Sequence, residues 1–384
     1  MLIFIHNSVV DNGDENTWDD DTVLALENLA TARREGKHSV TAKRETLEKI
    51  VQCSRLSEIT RKTYKKLYGP ATQYLSYLSV VTKYIEIVNR CYCYEPKVFK
   101  DAGKQIIKVP PSFFNDSYSL QETILLCENS ADAFLYESIG KVYLKWNQLK
   151  VPIAYEPRGG GGNTIANEYI NIQQGKKRFC LCIVDSDKIA PYENFGSTAS
   201  RIQDQSDSTC LYTRILVLDC REIENLIPPS ILSNLCSGNQ ERHKETYRDR
   251  LEALKVFESI SGSAVEAKYF LDIKKGTWMK EIINAKHPKS KEFWQVQISL
   301  IPNISSRIDD WCLVNWKCSN SGECKCKISL GFGENTLSHT LKYLQQKTPN
   351  EIEKIVEKSK HPHWENIGEV VMNWCIADSP IRTL

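Results

Sequence analysis

The chain has no run approaching the roughly 18 to 20 consecutive apolar residues that a membrane-spanning helix needs, which excludes an integral helical membrane protein. Its first stretch, MLIFIHNSVVDNGDEN, is apolar but short, lacks a basic leader and falls into acidic residues, so it does not read as an export signal. An excess of either charge is also missing: 50 Lys and Arg face 48 Asp and Glu, for a formal net charge of +2. With no global basic field, a nucleic-acid ligand would have to be held by a local groove and by metal. Internal repeats and low-complexity segments are absent too, which excludes a repeat array.

What is present is a soluble globular composition. The 384 residues are 41% hydrophobic and 26% charged, enough for two or three domains whose cores need no staples. The 14 cysteines, with no export signal, read as reduced thiols of a cytoplasmic protein. Cys127, Cys180 and Cys182 stand inside apolar strand-like runs, where free cysteine behaves as a small buried hydrophobe.

Three segments follow from the patterning. Residues 1–118 open with a buried strand over Leu2 to Val10, pass through an acidic loop from Asp11 to Asp21, and then become mostly helical from Thr22 to about Val88. KVPPSFFNDS, residues 108–117, is a proline-containing connector. Across 119–236 strands and helices alternate: ETILLCEN, a helix, VPIAYEPR, a glycine loop opening a helix, RFCLCIVDSD, and TRILVLDC running into a helical turn. That alternation predicts an α/β unit with a mostly parallel sheet flanked by helical regions, and a ligand edge at the carboxyl ends of its strands. Residues 237–384 are again mainly helical, with ERHKETYRDRLEALKVFESI, NEIEKIVEKSK and a cysteine-rich patch between them.

The chemistry-bearing residues gather at those strand ends. Asp185 and Asp187 follow the strand FCLCIV. Alternate strand residues face one side, so both carboxylates can point at one site, and a divalent cation bound through hard oxygens relieves their repulsion. The alternative is a turn that caps the next helix. Glu128 ends ILLCEN; it either complements a helix dipole or, with Asp132 available for that work, is left for chemistry. Arg158 and the glycines Gly159 to Gly162 form either a phosphate cradle, with Gly160 and Gly161 allowing close backbone approach, or simply a flexible turn. Lys274, Lys275 and Gly276 read as a distal basic contact or as ordinary surface lysines.

Cys312, Cys318, Cys324 and Cys326 follow a C-x5-C-x5-C-x-C pattern around the polar turn SNSGEC. Four thiolates there would make a tetrahedral structural zinc site, with His339, His361, His363 and Cys375 as candidate substitutes; the competing reading is a set of reduced thiols in a β-hairpin.

Together these motifs carry a resemblance. ETILLCENSADAFLYESIG resembles the first signature of TOPRIM domains, IVDSDK resembles their DxD signature, and EPRGGGGNT lies between them where that fold has a strand and a glycine turn. The set is most similar to OLD-type (overcoming-lysogenization-defect) nucleases and related bacterial antiphage-defence TOPRIM proteins, whose acidic–hydrophobic–Glu-Asn segment LDCREIENLIPPSIL is similar to. The likeness covers residues 119–235. It implies a Rossmann-like core and a metal-dependent endonuclease acting on DNA or RNA. It further implies that Glu128, Asp185 and Asp187 hold one or two Mg²⁺ or Mn²⁺ ions, with Glu222 or Glu224 as a further ligand. Two such ions about 4 Å apart activate water and stabilise the leaving oxygen in an in-line displacement, while Lys188 offsets charge developing at the phosphate.

The chain departs from that pattern in two places. Asn129 stands where many TOPRIM proteins have glycine, and no Walker A loop is present, so a separate regulatory ATPase subunit would be needed if there is one. Toxicity of such an effector implies restraint by that partner or by homo-oligomerisation. IFIHNSVV with AKRETLEKI also resembles, faintly, a degenerate PIN-like layout, with His6 in place of the expected aspartate. The rival functions are a non-catalytic α/β interaction scaffold and a primase-like phosphoryl-transfer enzyme.

Overall fold

The computed structural model describes residues 1–11, 18–238, 244–259, 266–301, 304–318, 324–356 and 361–381. Parts of the acidic N-terminal loop, of the SNSGEC turn and of the two charged C-terminal stretches named above lie outside them.

The N-terminal region runs β1 (Leu2–Ile5), α1 (Asp20–Glu35), β2 (Ser39–Ala42), α2 (Arg44–Gln52), α3 (Glu58–Tyr68), α4 (Ala71–Val80), β3 (Lys83–Ile87), β4 (Lys97–Asp101) and β5 (Lys104–Val109). The strands form one sheet in the order β2-β1-β3-β5-β4, parallel except for the β4–β5 hairpin. The segment expected to be mostly helical therefore contains a five-stranded sheet. Two of its strands, SVTA and KYIEI, had been absorbed into helical runs. They are four and five residues long, and so short an apolar run does not separate a buried strand from a helix turn by periodicity.

The second sheet matches the expected alternation. It uses β6 (Ile124–Cys127), β7 (Glu156–Gly159), β8 (Cys180–Val184) and β9 (Thr213–Val217), interleaved with α5 (Ala133–Trp146), α6 (Ile165–Gly175) and α7 (Ser197–Gln205). Strand order is β7-β6-β8-β9, with β6 parallel to both β7 and β8. Every residue of β6 and β8 is buried, which is why these strands read as continuous apolar runs. Each buried Leu or Ile in them contributes about 1.5–3 kcal/mol.

The rest is helical: α8 (Pro229–Gly238), α9 (Lys244–Ser259), α10 (Met279–Ile283), α11 (Pro288–Ser299), α12 (Asp310–Asn315), α13 (Thr336–Gln345), α14 (Pro349–Ile355) and α15 (Pro362–Cys375). The protein is thus α/β with parallel-dominated sheets. No helix among the described residues is long and apolar enough to cross a membrane.

The chain groups into two compact units interleaved in sequence, whereas the sequence reading divides it at 118 and 236. The first unit is 1–182, 205–215 and 364–384; the second is 183–204 and 216–363. In the first unit α15 closes the chain against both sheets. Asn373 Oδ1 accepts from Thr82 N at 3.1 Å, the Trp374 carbonyl accepts from Thr123 Oγ1 at 2.7 Å, and Lys83 Nζ stands 3.9 Å from the Trp374 ring centre. The division falls inside β8 and β9, so the residues that follow both strands belong to the second unit.

Candidate functional site

In the second unit β8 ends at Val184, and the chain then makes a tight turn through Asp185, Ser186, Asp187 and Lys188. Asp187 has φ of 54°, the left-handed conformation, so strand alternation does not extend to this pair. What orders the turn is hydrogen bonding. Ser186 is buried and donates to the Cys220 carbonyl at 2.7 Å; Asp187 N donates to Arg221 O at 2.9 Å, and Gly196 N to Ser186 O at 2.8 Å. Gly196 passes so close that a Cβ there would lie 2.2 Å from Asp187 Oδ2. Asp185 is half-buried, with Oδ1 accepting from Ile223 N at 2.9 Å, while Asp187 is exposed.

That last bond leads to the segment Arg221–Asn225. Asn225 Oδ1 accepts from Glu222 N at 2.8 Å, and its amide donates to the Lys268 and Leu271 carbonyls at 2.9 Å each. This fixes a single turn of 3-10 helix that carries Glu222 and Glu224, 9% and 4% exposed. Lys274 Nζ stands 3.0 Å from Glu222 Oε2 and 3.4 Å from Glu224 Oε1. Arg221 stands 3.6 Å from both Glu222 and Asp272 and 3.4 Å from Glu281. Four carboxylates thereby share two cations. Burial pushes the Glu224 carboxyl up to about 7, against the opposing pull of Lys274. Lys274 is held well above its ordinary value, Glu224 and Glu222 outweighing its own burial. Glu224 Oε2 is buried with no hydrogen-bond partner.

Lys274 is therefore no solvated surface lysine. Its neighbour Lys275 is, 3.8 Å from the equally exposed Glu334. Gly276, at φ 83° and with Ser329 O 2.5 Å from where a Cβ would stand, has a backbone role. Arg221, Asp272, Glu281 and Gly196 escaped the sequence reading. Arg221 adjoins the motif residue Glu222, but Gly196 stands nine residues beyond Asp187, and only tertiary packing brings it to that carboxylate and brings Asp272 and Glu281 to Arg221.

In the first unit Glu128 follows β6 and is half-buried. The helix start beyond it is capped without it: Asn129 Oδ1 accepts from Ala131 N at 3.0 Å, and Asp132 Oδ2 from Asn129 N at 2.9 Å. Asn129, the departure from glycine, thus has a defined local duty. The glycine turn is also occupied. Gly160 N and Gly161 N donate to the carbonyls of Cys127 and Glu128 at 2.9 and 3.0 Å, and a Cβ at Gly160 would lie 2.2 Å from that of Ile165. Arg158 is paired with Glu156 and Glu168, the latter at 2.9 Å. These groups stitch β6, β7 and α6 together.

A cavity of about 360 Å³ opens in the second unit beside the Asp187–Lys188 turn. Lys188, Asp219, Glu266 and His363 bring charge and proton-exchanging groups to its wall, and Phe195 and Tyr269 bring aromatic faces. Lys188 Nζ lies 4.1 Å from the Phe195 ring centre, and the Tyr269 and His363 rings meet edge to face at 4.1 Å. Burial lowers the His363 imidazole below its ordinary range, with Asp219 and Glu266 opposing. His363 thus lines this cavity, and Cys375 is buried in the first unit. Neither they nor His339 and His361 join the cysteine group: among the described residues, one set of three metal-ligating atoms lies within 4.8 Å of one another, on Cys312, Cys324 and Cys326. The carboxylates, by contrast, are spaced around Lys274.

No family model matches this chain, and neither does any curated protein or solved structure.

Proposed function

We propose that the protein is a divalent-metal-dependent nuclease that hydrolyses phosphodiester bonds of DNA or RNA, with Asp185, Asp187, Glu222 and Glu224 as its acidic centre. The observation that carries this reading is the surplus of carboxylate around the turn that follows β9, four acids against Arg221 and Lys274, with Glu224 Oε2 buried and unpartnered. An uncompensated buried carboxylate costs several kcal/mol, so such a cluster persists where a cation relieves it. Hard oxygen donors suit Mg²⁺ or Mn²⁺. A bound divalent ion would supply a polarised phosphoryl oxygen and a more acidic water at neutral pH.

The chain's own residues do the rest. Asp185, tethered through Ile223 N, sets the position of its carboxylate relative to Glu222 and Glu224. Lys274 offsets charge within the centre and holds both glutamates in place. Lys188, on the cavity wall, is placed to neutralise a phosphate oxygen, and the aromatic faces beside it suit a base stacked out of its strand. Glu128 enters this reading through the sequence resemblance, as do a TOPRIM-type core, a role in antiphage defence, restraint by a separate ATPase subunit, and homo-oligomerisation. The occupied amides of Gly160 and Gly161 and the paired Arg158 give the phosphate-cradle role less support than the turn itself.

A second reading has one observation in its favour. Lys274 already neutralises Glu222 and Glu224, as a purely structural ion-pair cluster would have it, and then the protein is an interaction scaffold. Incubating purified protein with DNA and with a tRNA pool, in Mg²⁺ or Mn²⁺, against Asp185→Asn decides between them. Metal-dependent cleavage lost in the variant supports the nuclease. Cleavage unchanged in the variant removes the proposed centre.

A further inference from the structure

We propose that Cys312, Cys318, Cys324 and Cys326 form a tetrathiolate zinc site that fastens α12 to the bridge between Trp278 and Lys327. In sequence the four are spread over 15 residues without the paired knuckle spacing. Folding gathers them. Asp309 caps α12 through its side chain, accepting from Trp311 N at 2.8 Å, and its own N–H donates to Cys326 Sγ at 3.4 Å. Cys312, on the buried side of α12, has its Sγ 3.9 Å from that of Cys326. Tetrahedral zinc with Zn–S bonds of about 2.3 Å sets its sulfurs about 3.8 Å apart. A disulfide would hold them at about 2.05 Å, and all four are free thiols.

Cys324 closes the trio, all three sulfurs lying within 4.8 Å of one another. Its side chain also interacts with that of Cys318, which brings the fourth sulfur beside the trio, though not within the same 4.8 Å of all three. The Asp309 amide is the kind of outer hydrogen bond that orients a metal-bound thiolate.

Charge and packing agree. Four thiolates around Zn²⁺ leave two net negative charges, and this segment is lysine-rich, with Lys317, Lys325 and Lys327 in sequence beside the cysteines. Lys280 acts electrostatically on Cys318, and Lys280 and Lys327 lie 5.2 and 4.3 Å from the Trp278 ring centre. The segment has little apolar core of its own. Helix α12 is six residues long, and its Trp311 and Val314 are 47% and 80% exposed. A helix of that length does not hold itself together in water. The strand-like side is tied to residues 277–279 by the Trp278–Lys327 bridge and by the bonds from Met279 N to Cys326 O at 3.0 Å and from Ile328 N to Thr277 O at 2.8 Å. A metal cross-link supplies what packing does not.

This inference stands on sulfur geometry and is independent of the nuclease reading. The test is elemental analysis of the full chain, expressed with zinc and purified under reducing conditions without chelator. The expected result is about one zinc per chain. A thiol-reactive mercurial added to the folded protein then releases that zinc as four thiols react. Cys318→Ser with Cys324→Ser loses the metal, while Cys91→Ser, an exposed cysteine elsewhere, keeps it. Cobalt(II) loaded in place of zinc gives the intense sulfur-to-metal charge-transfer absorption of a tetrathiolate. Should the double variant fail to fold, zinc release and the cobalt spectrum on the wild type decide. Zinc-free protein with no cobalt charge transfer, two disulfides among the four cysteines, or iron in place of zinc overturns the proposal.

Discussion

Two clusters of charge in this protein are built on opposite terms. In the first unit Glu156 and Glu168 meet Arg158 and Arg178, two acids against two guanidinium groups. Burial works against the Glu156 carboxylate, yet hydrogen bonds from Arg178 and Arg158 win and leave it below its ordinary value. In the second unit four carboxylates share Arg221 and Lys274, and burial leaves Glu224 far above its ordinary value. A neutral cluster is complete and serves the fold. A cluster with surplus negative charge is incomplete, and that incompleteness is the physical basis for assigning it chemistry. Lys274 adds to the contrast: the ammonium between Glu222 and Glu224 is a point charge that a metal ion can displace, whereas the planar fork of Arg158 spans Glu156 and Glu168.

The sharpest way to break this contrast is Asp185→Asn, which keeps the shape and removes the charge. Cleavage is expected to fall about 10²–10³-fold or more, the usual loss of an electrostatic group in the reacting centre. Unaltered rates in a metal-dependent assay would equate the two clusters. Lys274→Met should then leave Glu222 and Glu224 uncompensated and lower stability by on the order of 3 kcal/mol. Urea unfolding would show it, and added Mn²⁺ should restore much of the loss by binding the folded state. A loss indifferent to divalent ions favours the scaffold. Gly196→Ala drives a Cβ onto Asp187 Oδ2, so cleavage should drop roughly 10²-fold as that carboxylate is displaced. Gly69→Ala, where nothing lies within 4 Å of the new methyl group, is its control.

Glu224 makes the contrast visible as pH dependence. Its folded value, about 7, is raised above the ordinary 4.5. The fold therefore favours the protonated acid. That contribution is fully present below about pH 4.5 and is lost as pH rises through about 7, on the order of 2 kcal/mol. Denaturant unfolding at pH 5 and pH 8, wild type against Glu224→Gln, should show this slope in the wild type alone. Equal slopes would mean that Glu224 keeps its charge throughout. The smallest effect belongs to the complete cluster. Arg158→Ala, a third exposed, should cost no more than about 1 kcal/mol and leave cleavage intact. A tenfold loss of cleavage there would return Arg158 to the phosphate and undo the comparison.

The legible part of the sequence was the second sheet. Its strands ILLC and CLCIV are buried on both faces, so continuous apolar runs bounded by Glu128 and Asp185 exposed both the elements and their ends. The first sheet was half hidden, because β2 and β3 are short and lie among long amphipathic helices. The glycine run looked like a cradle, yet its amides turn back on Cys127 and Glu128. Spacing shows that glycine is required at a position; it does not show which partner its backbone has found.

Sequence alone determined the α/β alternation, the acids that follow β8 and β9, and the four cysteines as a group, since each depends on residues close along the chain. Only tertiary structure decided that Lys274 stands between Glu222 and Glu224. It also decided that Gly196 fixes the room available to Asp187, and that three sulfurs spaced unlike a zinc knuckle meet within 4.8 Å. Those facts depend on contacts across roughly ten to fifty residues, and over such separations the partners are chosen by the packing of the helices and loops that carry them, not by local propensity.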